Sequence, residues 1–307
     1  MTLQLREFEF RSQVAGPRLL ITGCVHGDEF EPIAAIRRLV TLFSDSDRTV
    51  SGFRGTVTLI PVVNKSAFLR GHRCGEDGLD LARTCPGRSD GSVTEQTAWA
   101  LSEAIRSADY YVDLHTGGTE LSVYPLAGYM LHTNPDILAT QRGMAHAFNL
   151  PVIWGTSAAL DGRSLSVARD ANIPAIYCEY LGSATCNPAG VEAYVDGCLN
   201  VMSVLGMLDR ERPARRLIHF VEDSQPNAGH MQVCNPSPVT GYFETHVKLG
   251  DAVRQGDPLG TIYPLDGSAP AVVKATQSGI VLVLRTFPRV HVGESVGVVL
   301  EVSIFHG

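Results

Sequence analysis

The sequence predicts an α/β architecture: a mixed, mostly parallel sheet flanked by helices, with a smaller all-β unit at the C-terminal end. Three observations lead there. From about residue 17 to 205, short apolar and β-branched runs alternate with stretches whose apolar residues recur at helical spacing. Two of those runs end in a polar residue followed by glycine, as strands do where an open sheet turns into its functional loops. From about Gly229 the texture changes, and turn residues every few positions separate short β-rich runs. At 307 residues the chain exceeds the usual size of a single core, which fits one large domain plus a small one.

Taken in order, residues 1–13 alternate and read as an opening strand. The run Leu19-Leu20-Ile21-Thr22 has the continuous apolar character of a buried parallel strand and breaks at Gly23. Phe30, Ile33, Ala34, Ile36, Leu39 and Val40 then follow a helical period. Residues 55–63 form a β-branched strand ending at Asn64. Residues 64–90, rich in Gly, Arg and Asp, lack periodicity; a loop of that length in a compact domain is functional or disordered, and Phe68, Leu79, Leu81 and Pro86 give this one material to pack. Residues 94–106 read as an amphipathic helix capped by Thr94, 109–114 as a strand, 135–148 as a helix, 151–154 and 175–178 as short strands, and 189–208 as a long helix. The stretch Arg210-Glu211-Arg212-Pro213-Ala214-Arg215-Arg216 looks like an exposed connector, which divides the chain into domains at 1–210 and 229–307.

Composition narrows the partners. The net charge of −7 offers no basic field for nucleic acid or an anionic membrane. No apolar run is long enough to span a bilayer, and the charged, alternating start is unlike a signal peptide. Seven cysteines, scattered and without a Cys-x-x-Cys pair, fit reduced thiols and a cytoplasmic location.

The chemistry concentrates at two strand ends. His26 and Glu29 stand three residues apart after the first buried strand, a spacing that one helical turn brings onto a single face. His115 stands at the end of Tyr111-Val112-Asp113-Leu114, just before a glycine pair. Alone, His-x-x-Glu is as well explained by a surface histidine and a first-turn acid. With His115 added, two imidazoles and a carboxylate with a fourth position open are the donor set of a catalytic rather than a structural zinc. Asp113 is a candidate acceptor for a ligand imidazole, or a strand-end Asp held by backbone amides. Glu179, ending the run Ala175-Ile176-Tyr177-Cys178, is the candidate base, against a plain strand-end ion pair.

The order His26-Gly27-Asp28-Glu29, then Asn64-Lys65-Ser66-Ala67-Phe68, then Asp77-Gly78-Leu79-Asp80-Leu81-Ala82-Arg83 with Pro86-Gly87, then Asp113-Leu114-His115-Thr116-Gly117 resembles the succinylglutamate desuccinylase/aspartoacylase family of zinc carboxypeptidase-like hydrolases. The match runs from about residue 19 to 182. The resemblance implies one zinc per chain on His26, Glu29 and His115. It gives Glu179 the role of base, Arg73 that of polarising the scissile carbonyl, and Arg83 that of holding a substrate carboxylate; Asn64 touches substrate or anchors its loop. It also implies a C-terminal β-domain. There the pattern Gly250-Asp251-Ala252-Val253 and Gly256-Asp257-Pro258-Leu259-Gly260 resembles lipoyl- and biotinyl-type barrels, but no lysine follows where such a carrier presents one, so an unmodified cap on the site is expected. Ala82 replaces the family's usual Asn, Glu-Tyr-Leu-Gly its Glu-Leu-Gly-Gly, and Cys-Pro-Gly its Phe-Pro-Gly, which marks a divergent branch.

The expected function is a zinc-dependent deacylase acting on the amide bond of a small N-acyl amino acid or N-acyl amine. The alternatives are carboxypeptidase-like or ester cleavage with the same machinery, an inactive metal-binding module, and a carrier domain. The expected partner is a small-molecule N-acyl substrate, with no nucleic acid and no membrane; a homo-oligomer is left open.

Overall fold

The computed structural model describes residues 3–45, 50, 52–226, 228–229, 231 and 234–302. Residues 1–2 of the expected opening strand, and 303–305 of the β-rich stretch that begins near Gly229, lie outside them. The chain opens with β1 (Phe8–Arg11) and β2 (Arg18–Gly23), then runs α1 (Glu31–Ser44), β3 (Thr56–Ile60), α2 (Lys65–Arg70), α3 (Val93–Arg106), β4 (Tyr110–His115) and β5 (Leu121–Met130). It continues with α4 (Pro135–Phe148), β6 (Val152–Thr156), α5 (Ser164–Asp170), β7 (Ala175–Gly182), α6 (Pro188–Val204) and β8 (His219–Glu222). The C-terminal part contributes β9 (Gly241–Thr245), β10 (Ala252–Val253), β11 (Pro258–Pro264), β12 (Ala271–Lys274), β13 (Gly279–Arg285), β14 (Arg289–Val290) and β15 (Gly297–Leu300).

The architecture is the mixed, mostly parallel sheet that the alternation predicts. β3, β2, β4 and β7 run parallel; β5, β6 and β8 form a second parallel block of opposite direction, joined to the first by the antiparallel pair β5–β7. Both faces are covered, and so the strands read as continuous apolar runs. Leu19, Ile21, Val112, Leu114, Ile176 and Cys178 pack beneath α1, α4 and α6, while Leu20, Tyr111 and Ala175 point to the face under α3 and α5. That second face carries the site.

Four local expectations need correction. The cap of α3 is Ser92, not Thr94: its hydroxyl accepts from Glu95 N while Glu95 Oε2 accepts from Ser92 N at 2.8 Å, a reciprocal box. The sixth helix ends at Val204, four residues short of the expected 208, with Leu205 as its cap. Residues 64–90 are not all loop; they hold α2 and a single turn at Leu81–Arg83, each closed by side-chain caps rather than by apolar periodicity, which is why the pattern hid them. His26 and Glu29 precede α1, so a tight turn, not a helical turn, brings them together.

Asp77 explains how the ordered loop is pinned. Its carboxylate accepts from Thr94 Oγ1 at 2.7 Å, Thr94 N at 2.9 Å and Ser92 Oγ at 2.6 Å, tying the loop to the start of α3. Some burial opposes ionisation, but these donors outweigh it and hold the carboxyl down at about 2. Asp77→Ala is expected to cost about 0.5–2 kcal/mol, as for other lost helix caps. Because the folded value lies below the unfolded one, the wild-type advantage is full above about pH 4 and disappears as pH falls through 2. Urea midpoints of the two proteins at neutral pH and near pH 2 check both statements.

The C-terminal strands form a separate antiparallel sheet, β12-β11-β9-β14, and a second group that joins the large sheet through β13 against the first residues of β5. Arg285, with only 3% of its side chain exposed, secures that junction with ion pairs to Glu294 at 3.0 Å and Glu120 at 3.4 Å. Glu120 O also accepts from Thr286 N at 3.0 Å. Among the described residues no cysteine is in a disulfide, and no helix is long and apolar enough to cross a membrane.

Candidate active site

The pleat and the register of two neighbouring strands set the site's geometry. On β4, Tyr111, Asp113 and His115 fall on one face by the two-residue period, and on β7 so do Ala175, Tyr177 and Glu179. The strands are parallel and in register, with Asp113 beside Tyr177 and His115 beside Glu179. His26 and Glu29 arrive from the end of β2, the other neighbour of β4. The turn that carries them lies hard against α2: a Cβ on Gly27 would stand 2.0 Å from the Ala67 carbonyl carbon, so only glycine lets the two backbones approach.

His26, Glu29 and His115 are all buried, and one ligand atom from each lies within 4.8 Å of the others. His26 Nδ1 is 2.7 Å from Glu29 Oε1, and His115 Nδ1 is 3.1 Å from Glu29 Oε2. The far nitrogens also face carboxylates: His26 Nε2 lies 3.2 Å from Asp80 Oδ1, and His115 Nε2 lies 3.1 Å from Asp113 Oδ2. A neutral imidazole has one N–H and one lone pair, so it cannot serve two carboxylates at once. The cluster therefore calls for positive charge on its Nδ1 side, from protons or from a cation. Two imidazoles and a carboxylate, each ring backed by a second carboxylate, form a donor set that suits zinc. Burial works against a charged His115, but Asp113 and Glu29 outweigh it and hold its pKa well above the usual range. Asp113 is itself fixed by Thr22 Oγ1 at 2.8 Å and by the Ser164 hydroxyl.

Glu179 stands beside this cluster with 6% of its surface exposed, and its Oε2 has no partner among the described residues. Burial pushes its carboxyl up to about 8; the His115 charge pulls the other way, and Glu29 adds to the rise. A buried, unpartnered carboxyl with proton affinity near neutrality is what a proton-transfer group requires.

These groups open into a pocket lined also by Met130, Thr156 and Leu165. Three guanidiniums line it, from Arg73, Arg83 and Arg163. Arg73 is clamped by Asp80 Oδ2, at 3.1 Å from Nε and 3.0 Å from Nη2, so one carboxylate holds both Arg73 and His26. Ala82 forms part of the wall, and Gly229 and Met231 bring the chain after β8 to the rim, with Arg163 donating to Gly229 O at 3.2 Å.

Of the residues the sequence singles out, seven come together here: His26, Glu29, Asp113, His115, Glu179, Arg73 and Arg83. Asn64 does not. It is wholly buried, and its Oδ1 accepts from Ala67 N at 3.1 Å, so it caps α2: of the two expected roles it takes the anchoring one, not the substrate contact. Arg163 also lines the pocket. Asp80 as a support for His26, Ser164 as a support for Asp113 and Tyr177 as a lining residue were not foreseen. Only Tyr177 carried a readable signal, standing two residues before Glu179 on the same strand face.

An α/β sheet with a metal-type donor set at its strand ends and a buried proton-transfer group alongside defines a class, that of hydrolytic sites built on open sheets. The family model for the succinylglutamate desuccinylase/aspartoacylase catalytic domain matches residues 15–205. The N-alpha-acetyl-L-2,4-diaminobutyric acid deacetylase of Halomonas elongata is 31% identical over 297 residues, covering 94% of this chain and 83% of its own. Among solved structures, the product-bound ectoine utilization protein EutE (DoeB) from Ruegeria pomeroyi superposes with a TM-score of 0.85 at 26% identity, over 95% of this chain and 87% of that one. A succinylglutamate desuccinylase/aspartoacylase from Rhodobacter sphaeroides gives 0.82 at 28% identity, over 94% and 86%. The chain belongs to the succinylglutamate desuccinylase/aspartoacylase family.

Proposed function

We propose that the protein is a zinc-dependent deacylase that hydrolyses the amide bond of a small N-acyl amino acid. The observation that carries this reading is the register pairing of His115 with Glu179, which sets a metal-type donor cluster beside a buried, unpartnered carboxyl. His26, Glu29 and His115 would hold the ion, which when bound supplies a Lewis acid and lowers the pKa of water toward neutrality. Glu179 accepts a proton from the attacking water and returns it to the leaving nitrogen, a task suited to a carboxyl whose affinity lies close to working pH. Arg73, immobilised by Asp80, donates to the oxygen on which negative charge develops. Arg83 and Arg163 bracket a substrate carboxylate; their crowding, which lowers the pKa of Arg163 after burial has done so, favours an anion between them. The Halomonas relative's name supports an acetyl group and an amino acid as the two products. We further propose that residues 229–307 act as a cap, since Gly229 and Met231 reach the pocket rim.

Purified protein loaded with zinc, assayed against N-acetyl and N-succinyl amino acids, C-terminal peptides and simple esters, tests the reading. Free amine from an N-acyl amino acid, lost on chelation and regained with zinc, is the expected result; turnover confined to peptides or esters overturns it. Arg83→Ala is expected to raise KM about 10- to 100-fold with little change in kcat, the cost of one charge-assisted hydrogen bond in ground and transition states alike. Steady-state kinetics check that split.

A further inference from the structure

Tyr177 has a feature that the proposed chemistry does not use. Its ring is held between two groups of core residues, one around Leu20, Ala175 and Met130 and one around Leu126 and Trp154. It lies across β5 onto Gly128, its register partner: a Cβ on Gly128 would stand 2.3 Å from Cε1 and Cζ and 2.5 Å from the hydroxyl. Glycine at 128 is thus what lets the phenol lie flat there. The hydroxyl, by contrast, has no hydrogen-bond partner among the described residues, and it is not sealed away from the cavity that Tyr177 lines. A phenol whose body is fixed and whose polar tip meets a pocket is a ligand-facing group, because a buried Tyr otherwise finds a partner in the protein.

Its place in the sheet says what it faces. Tyr177 sits one same-face step before Glu179, about 6.6 Å deeper into the pocket, at the level of Asp113. Arg163 lines the same cavity as Tyr177; burial raises the phenol's pKa, the Glu179 charge adds to the rise, and the Arg163 guanidinium opposes it. Arg163 has no carboxylate partner among the described residues and donates to Gly229 O at 3.2 Å. Such a corner favours a carboxylate that can accept from planar N–H groups on one side and an O–H on another.

We propose that Tyr177 is a specificity-determining residue whose hydroxyl donates to the substrate carboxylate alongside Arg163, so that the enzyme selects acylated amino acids over acylated amines. This rests on the deacylase reading. The test pairs Tyr177→Phe, which keeps the ring and its packing, with two matched substrates: an N-acetyl amino acid and its α-carboxamide. For the carboxylate substrate the variant is expected to raise KM about tenfold with kcat within threefold of wild type. For the carboxamide the two proteins should behave alike. Equal losses on both substrates, or no loss on either, overturn the assignment, the first outcome placing the hydroxyl against the acyl group. If wild-type protein turns over no N-acyl amino acid, the deacylase reading fails by itself. Calorimetric titration of zinc-loaded protein with the free amino acid and with its amide then decides Tyr177 separately: a tenfold weaker Kd for the acid alone in Tyr177→Phe supports it, and equal affinity in the two proteins, or no binding to wild type, sinks it.

Discussion

Glu179→Gln is expected to lower kcat about 10²- to 10⁴-fold while leaving zinc at one per chain, because proton transfer by a positioned side chain contributes on that scale. The substitution keeps the shape of the side chain and removes only its ability to take a proton. It also removes a buried carboxyl whose Oε2 has no partner. A group of that kind weakens the fold in return for activity, so the thermal midpoint of the variant should be no lower than that of wild type. Single-turnover rates, metal analysis and a melting curve on the same preparation check all three points. Activity within threefold of wild type would place the base elsewhere.

The second large effect is expected at His115. Replacing it with alanine removes one of three donors and should reduce bound zinc from about one per chain to a small fraction after dialysis, with activity lost alongside. The neighbouring Asp113→Asn change is milder, since it weakens only the backing of the ligand: a 10- to 100-fold loss of metal affinity is the usual size for such partners. Competition with a zinc chelator measures both, and circular dichroism shows whether the fold persists. His115→Ala protein that keeps its zinc would remove the donor assignment and with it the proposed mechanism.

Much of this was readable from sequence. Continuous apolar runs alternating with helical periodicity gave the sheet and its helices, because both follow from burial on two faces. His26, Glu29, His115 and Glu179 announced themselves by standing at strand ends. Hidden features were those set by contacts between distant segments. Asn64 reads as a polar residue after a strand, and only the fold reveals that its oxygen is committed to Ala67 N. Ser92 and Thr94 are both good caps by type, and Asp77, 15 residues upstream of Ser92, engages both. The join of β13 to β5 pairs residues some 160 positions apart, and no local pattern encodes such a pairing.

The strand register of His115 and Glu179 has a consequence for how such an enzyme can change. The spacing between the proposed donor His115 and the proposed base Glu179 is written into backbone hydrogen bonds of adjacent parallel strands, while Arg83, Arg163 and Met231 sit outside strands. Most of the proposed substrate contacts are therefore carried by different structure from that pair, Tyr177 on β7 being the exception. Grafting the segments that carry these three residues from a relative should change selectivity more than it changes hydrolysis, and variation in nature has room to accumulate there first. Ala82, where the family usually carries an amide, lies in one of those exchangeable segments.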